Sequence, residues 1–185
     1  FSYGRSLIIE DADFDIYKGE SVCVVGPNGG GKSTLLKLML GLLKPDVGTV
    51  HLLGESPKRA RSRVGYVPQH IDFDPLFPVS VLDVVLMGRL TRRSFGFSGR
   101  KDTERALGAL EQMGLADRAH DSFAALSGGQ RQAVLIARAL AAEVDVLLLD
   151  EPTAHVDVAA EERLVESLKA LQDDLTLVTV SHDLA

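Results

Sequence analysis

Apolar residues along this chain follow two rhythms. Short aliphatic runs bounded by turn residues, Val22-Cys23-Val24-Val25 and the stretches 146–149 and 175–180, predict strands buried on both faces. Stripes spaced three and four residues apart predict helices over about 81–89, 102–113, 128–142 and 158–171. In the second of these, Leu107, Leu110 and Met113 share a face and Gly114 is the stop. In the last, Leu164, Val165, Leu168 and Leu171 form a stripe with charges opposite. A helix over 32–43 is apolar on nearly every side and is expected to be buried, until Pro45-Asp46-Val47-Gly48 breaks it. Residues 49–53 and 64–67 read as further strands, the second stopped by Pro68. Near the start, Ile8, Ile9, Ala12, Phe14 and Ile16 are interleaved with acidic residues. They predict two strands of a half-exposed antiparallel sheet, closed by Lys18-Gly19-Glu20.

This pattern divides the chain. Residues 1–69 and 127–185 have the strands of a parallel α/β core, while 70–126 hold a loop rich in Phe, Asp and Pro, two helices and a mobile-looking segment at 91–99. The middle stretch is expected to be an inserted helical subdomain. Three apolar strands end in polar groups: the loop starting at Gly26, the pair Asp150-Glu151, and His182. Ligands of an open parallel sheet bind outside the carboxyl ends of its strands, so the three should form one site.

The loop reads Gly26-Pro27-Asn28-Gly29-Gly30-Gly31-Lys32-Ser33-Thr34 and fits G-x-x-x-x-G-K-[ST], the phosphate cradle of nucleoside triphosphatases. Its glycines let backbone N–H groups wrap a polyphosphate, and the following helix aims its positive end at the same anion. Lys32 is then expected on the outer phosphates and the Ser33 hydroxyl on Mg²⁺. Asp150 and Glu151 close a buried strand, where one carboxylate is placed to hold Mg²⁺ and the other to polarise water. Neighbours on a strand point opposite ways, which favours two separate roles.

Leu126-Ser127-Gly128-Gly129-Gln130 has the pattern of a capping box, Ser127 as N-cap and Gln130 three residues on. Two glycines in a first helical turn nevertheless cost roughly 1 kcal/mol each in propensity. They make sense where phosphates from another molecule approach a bare helix end, a second anion site.

Composition narrows the classes. With 185 residues, 45% hydrophobic and 25% charged, the chain has the make-up of a globular protein with one substantial core. A net charge of −6 argues against a nucleic-acid coat, so no nucleic-acid partner is expected. The single cysteine, Cys23, excludes an internal disulfide framework and reads as a small buried hydrophobe. No signal peptide opens the chain, and no apolar stretch approaches a membrane span, so a soluble protein is expected, able to sit on a membrane partner. Phe1 is not a start methionine and Ala185 follows closely on His182, so the ends look cut. The five histidines are scattered without metal-ligand spacing, and no zinc site is expected.

Gly26 to Thr34, Gln69, Leu126 to Gln130, Asp150-Glu151 and His182, in that order, resemble the nucleotide-binding domain of an ATP-binding cassette (ABC) ATPase over nearly the whole chain. The resemblance implies an α/β P-loop fold with a RecA-like parallel core, an antiparallel β edge and the helical insertion. It implies ATP and Mg²⁺ as ligands and ATP hydrolysis as the activity. By position, Tyr3 resembles the aromatic that stacks on adenine, and Gln69 the loop glutamine that touches Mg²⁺ and water and senses a membrane partner. Glu151 resembles the general base and His182 the switch histidine at the γ-phosphate. Asp157 resembles the aspartate that crosses the dimer interface, and is equally placed to cap the next helix. Ser127 to Gln130 would face the P-loop of a second nucleotide-binding subunit in a head-to-tail dimer holding two ATP molecules.

Two stretches refine the class. Before the signature stands Ala119-His120-Asp121-Ser122-Phe123-Ala124-Ala125, without the Gly-Glu-Arg-Gly type of sequence common in exporters. Asp72-Phe73-Asp74-Pro75-Leu76-Phe77-Pro78-Val79-Ser80-Val81, with Val84-Val85-Leu86-Met87-Gly88-Arg89, is similar to ATPase subunits of bacterial zinc/manganese importers. The implied partners are an integral membrane permease and, indirectly, a substrate-binding protein, with the chain on the cytoplasmic face of the membrane. Phe73, Leu76, Phe77 and Met87 are candidates for the permease's apolar seat or for the subdomain's own core. The alternatives are a soluble ABC ATPase of DNA repair, chromosomes or the ribosome, and the ATPase of an importer for another substrate. The interval from Gln69 to Ser127 is too short for a long coiled-coil insertion and holds no sustained heptads.

Overall fold

β5 (Val146–Asp150) is buried along its whole length, with Leu147, Leu148 and Leu149 fully enclosed. Side chains alternate between the faces of a strand, so burial throughout requires a layer on each side. The computed structural model, which describes residues 1–69, 73–90, 99–153, 158–171 and 175–181, shows both layers. The sheet has the order β3 (Ser21–Val25), β6 (Thr176–Ser181), β5, β4 (Val64–Val67), all parallel. Val25 pairs with Ser181, Asp150 with Val180, and Val67 with Leu149, so the carboxyl ends of all four strands line one edge.

On one face, α1 (Lys32–Met39) and α2 (Pro57–Ala60) supply Leu36, Met39 and Ala60, which pack with Val146, Leu148, Val178 and Val180. On the other face lie α3 (Val81–Leu86), α4 (Arg100–Gln112), α5 (Gly128–Ala141) and α6 (Val158–Lys169). Their Val81, Val85, Leu110, Ile136 and Leu164 join Leu147, Leu149 and Leu177 in a second cluster. A small antiparallel pair, β1 (Ser2–Tyr3) and β2 (Ser6–Leu7), stands apart from the main sheet. Among the described residues no helix is long and apolar enough to cross a membrane.

Local chemistry explains the boundaries. α3 starts at a reciprocal box in which Ser80 Oγ accepts from the Asp83 N–H at 3.1 Å and Asp83 Oδ2 accepts from the Ser80 N–H at 3.0 Å. α4 stops at Gly114, as its sequence predicts, in a left-handed conformation at φ 67°. A 3₁₀ turn, Met87–Arg89, fastens α3 to α5. A Cβ on Gly88 would collide with the Arg138 carbonyl oxygen, so only glycine lets the two backbones meet. Arg89 then donates to Asp102 at 2.9 Å, to the Ala141 carbonyl at 2.8 Å and to Glu143 at 3.1 Å, tying the start of α4 to the end of α5.

Several expectations change. The antiparallel strands are only two residues each, and residues 8–20 hold no strand. Their alternation is met instead by loop packing, with Ile16 against the α1-side cluster. α1 ends at Met39 rather than Leu43, because Gly41 turns left-handed at φ 64° and the Leu42 and Leu43 N–H groups close back on the Lys37 carbonyl. Residues 49–53 form no strand: Leu53 and Gly54, at φ 53° and 75°, turn the chain so that Leu52 and Glu55 exchange both backbone hydrogen bonds. Cys23 is exposed, not buried: β3 ends the sheet, and among the described residues no layer covers its Ser21, Cys23 and Val25 face. The segment 91–98, read as mobile, lies outside the described residues, as do His182 and Asp157.

The Gly88 contact is testable. Gly88→Ala should cost about 1–3 kcal/mol, the usual price of overpacking, and lower the thermal midpoint by several degrees. Gly108→Ala, on a helix position with open space around it, should raise stability by roughly 0.5–1 kcal/mol in the same melt.

Candidate functional site

The site grows from the end of β3. Gly29 and Gly31 take φ values of 78° and 89°, a region other residues avoid, and the Gly30 N–H closes a turn on the Pro27 carbonyl at 3.0 Å. A side chain on Gly31 would also press on Ile8 and Ile9 at 3.2–3.3 Å. Those isoleucines are held by Phe1: their N–H groups reach the Phe1 carbonyl, and the Phe1 nitrogen donates to the Ile9 carbonyl at 2.8 Å. α1 follows with no side-chain cap and no acidic residue in its first turn, so its N-terminal N–H groups and dipole face the loop unopposed.

Lys32 is 8% exposed, and its ammonium donates to the Gly26 and Pro27 carbonyls at 2.7 and 3.1 Å. It also lies 3.7 Å from Glu151 Oε1. Ser33 Oγ donates to Asp150 Oδ1 at 3.1 Å, and the Tyr66 hydroxyl donates to Asp150 Oδ2 at 3.2 Å. Gln69 Nε2 donates to Glu151 Oε2 at 2.7 Å. The two adjacent carboxylates are therefore divided. Asp150 faces Ser33 and Tyr66; Glu151 faces Lys32 and Gln69.

Backbone geometry produces the division. Asp150 is the last residue of β5, on the same strand face as Leu148, which meets the α1-side cluster. Glu151 leaves the strand at φ 46°, in the left-handed region, and its N–H still bonds the Val180 carbonyl at 2.9 Å. A non-glycine residue held there is strained, and the neighbouring strand over-determines it. Burial, followed by the charge and hydrogen bond of Asp150, pushes the Tyr66 phenol up to about 12. It therefore remains a donor to Asp150 throughout the neutral range. Ser33 and Asp150 present a hydroxyl and a carboxylate oxygen side by side, the donor set that hard divalent cations take.

The expected residues that are described thus fall in three places. Lys32, Ser33, Gln69, Asp150 and Glu151 meet at one edge with the glycine loop. Ser127 to Gln130 form the capping box, Ser127 Oγ accepting from the Gln130 N–H at 3.3 Å and Gln130 Oε1 accepting from the Ser127 N–H at 3.0 Å. Ser127 and Gly128 are exposed at the capped start of α5, and among the described residues no hydrogen bond or ion pair joins them to the loop. Tyr3 stands 48% exposed on the β1–β2 hairpin, edge-on to the Phe1 ring at 4.9 Å.

Three residues escaped the sequence reading. Tyr66 sits on the face of β4 that alternation assigns to the apolar cluster, and a phenol there needs a hydrogen-bond partner. Gln132 is 8% exposed within α5, and among the described residues its Nε2 has no hydrogen-bond partner. Arg138, half-buried on the same helix, has its guanidinium pKa lowered by burial.

A strand-to-helix glycine loop with a buried lysine, facing carboxylates at the ends of parallel strands, defines a P-loop nucleoside triphosphatase. Comparison with known proteins carries this further. Residues 9–154 match the family model described as ABC transporter, and the chain belongs to that family. It is an ATP-binding and ATP-hydrolysing subunit of the ABC type.

Its relatives are specific. The chain is 47% identical over 189 residues to a "Probable metal transport system ATP-binding protein" of Chlamydia pneumoniae, covering 100% of this chain and 77% of that protein. It is 40% identical over 185 residues to the manganese transport system ATP-binding protein MntB of Bacillus subtilis, covering 99% and 74%. The zinc transport system ATP-binding protein TroB of Treponema pallidum is 41% identical over 187 residues, with 99% and 70% covered. Among solved structures, the dimeric post-hydrolysis state of the ATP-binding cassette MJ0796 bound to ADP and Pi superposes with a TM-score of 0.81 at 33% identity, covering 99% of this chain and 84% of that one.

Lys32→Ala should lower ATP hydrolysis on the order of 100-fold or more, measured as phosphate release, because it removes the buried ammonium that lies between the glycine loop and Glu151.

Proposed function

We propose that this chain hydrolyses Mg²⁺-ATP to drive import of a divalent metal ion of the zinc or manganese type through a membrane permease. The observation that carries the catalytic part is the division at the end of β5, Asp150 toward Ser33 and Glu151 toward Lys32 and Gln69. Ser33 and Asp150, with Gln69, would hold Mg²⁺, which would supply neutralisation of phosphate charge. Lys32 and the loop N–H groups bind and orient the phosphates, and Glu151 takes the proton of the attacking water. Gln69 holds the Glu151 carboxylate in place for this. His182 is assigned to the γ-phosphate and Tyr3 to the adenine ring.

The exposed end of α5 at Ser127 to Gln130 is the second anion site, acting on the P-loop of another copy in a head-to-tail dimer. The dimeric MJ0796 cassette supports this reading. The metal supplied by transport follows from the names of the Bacillus and Treponema relatives. Residues 70–126 serve as the subdomain that receives the permease, which places the chain at the cytoplasmic face of the membrane. Leu76, Phe77 and Met87, 90%, 61% and 46% exposed, are its apolar seat. Phe73 is not part of that seat. It stacks edge-on with Phe123 at 5.2 Å under the Arg131 guanidinium at 5.0 Å and belongs to the subdomain core.

Two outcomes are expected. Glu151→Gln should cut turnover by about 100-fold or more while an ATP-bound dimer accumulates on size exclusion; hydrolysis at the unaltered rate would remove Glu151 from the base role. Cells lacking this gene should lose high-affinity zinc or manganese uptake, measured with radioactive metal, and regain it on complementation. Unchanged uptake of both metals would contradict the assigned substrate.

A further inference from the structure

Asp150 is gripped from two sides. Its Oδ1 accepts from Ser33 Oγ at 3.1 Å, and its Oδ2 accepts from the Tyr66 hydroxyl at 3.2 Å. Ser33 belongs to the phosphate loop, whereas Tyr66 belongs to none of the motifs. It lies on β4 opposite Leu148, two residues before Asp150 on the neighbouring strand. Strand alternation puts Tyr66, Leu148 and Asp150 on one face, and the tyrosine packs against the cluster of Leu36, Met39, Leu148 and Val178. A ring held by that cluster has little freedom, so its hydroxyl is a fixed point at the sheet's edge.

The consequence is geometric. Asp150 is 6% exposed, and a short buried carboxylate has two oxygens that compete for the same donors. With Oδ2 occupied by a fixed phenol, Oδ1 is the oxygen turned to Ser33. A neutral phenol is a poor ligand for a hard cation, but it orients the oxygen that is a good one. We propose that Tyr66 is a positioning residue that sets the Asp150 carboxylate for the divalent cation of the nucleotide site. This rests on the reading that Asp150 holds that cation. Its part in the site is to act through Asp150.

The test is Tyr66→Phe, which removes one oxygen and leaves the ring packing in place. Mn²⁺ is titrated by electron paramagnetic resonance in the presence of saturating non-hydrolysable ATP analogue. The Mn²⁺ affinity should fall about tenfold, the low end for loss of a ligand-orienting partner. Binding of the metal-free analogue, measured in chelator, should not change. In steady state the concentration of Mg²⁺ needed for half-maximal hydrolysis should rise while kcat at saturating Mg²⁺ is retained. Unchanged Mn²⁺ affinity, or an equal loss of metal-free nucleotide binding, would overturn the proposal. Asp150→Asn separates it from the reading beneath: if that variant binds Mn²⁺ normally, Asp150 is not a ligand and both fail. If Asp150→Asn weakens Mn²⁺ and Tyr66→Phe does not, only the role of Tyr66 fails. In the double variant, Tyr66→Phe should add no further loss.

Discussion

The arrangement depends on how β5 ends. Four aliphatic residues bury the strand between two layers of helices, and the chain reaches the sheet's edge with two carboxylates in succession. Pleating alone would send them to opposite faces. The left-handed turn at Glu151 re-aims the second carboxylate toward Lys32, while Asp150 stays over Ser33. Two like charges on neighbouring residues are thereby separated, each with its own donors. The phosphate loop, Gln69 and Tyr66 all take their place in the site by reaching one of these two groups.

What surrounds the pair follows from the same economy of contacts. The loop can lie close to the carboxylates because glycines occupy its left-handed positions and because Ile8 and Ile9 brace Gly31 from behind. On the opposite layer, Gly88 brings the 3₁₀ turn onto the α5 backbone and Arg89 links α4 to α5. The Met87-Gly88-Arg89 stretch, similar to metal-importer ATPases, thus has two packing roles and one exposed side chain, Met87. Its glycine and arginine hold the helical layer together, while the methionine stays exposed.

Much of this was legible in the chain. The glycine loop, the buried strands and the Gly114 stop announce themselves through residue types whose backbone or burial preferences leave little choice. Prediction failed where a weak preference met a strong local one. Residues 49–53 have strand composition, but Leu53-Gly54 forms a tight turn; Cys23 has a buried neighbourhood in sequence, but its strand lies at an edge. Alternation in residues 12–16 is too short to show whether a partner strand exists. Lys32, Ser33, Gln69, Asp150 and Glu151, singled out by spacing and resemblance, lie together at one edge of the sheet. Tyr66 was not singled out, because its meaning lies in a cross-strand neighbour that no local pattern reveals.

We propose that the adjacent carboxylates carry separate duties, cation binding for Asp150 and water activation for Glu151. Mn²⁺ affinity of the Glu151→Gln chain in the presence of ATP tests this most directly, read by electron paramagnetic resonance. The predicted result is an affinity unchanged from the unaltered chain, since Glu151 faces Lys32 and Gln69 rather than Ser33. A loss of Mn²⁺ binding in that variant would show that the two carboxylates share the cation, and the division would be wrong.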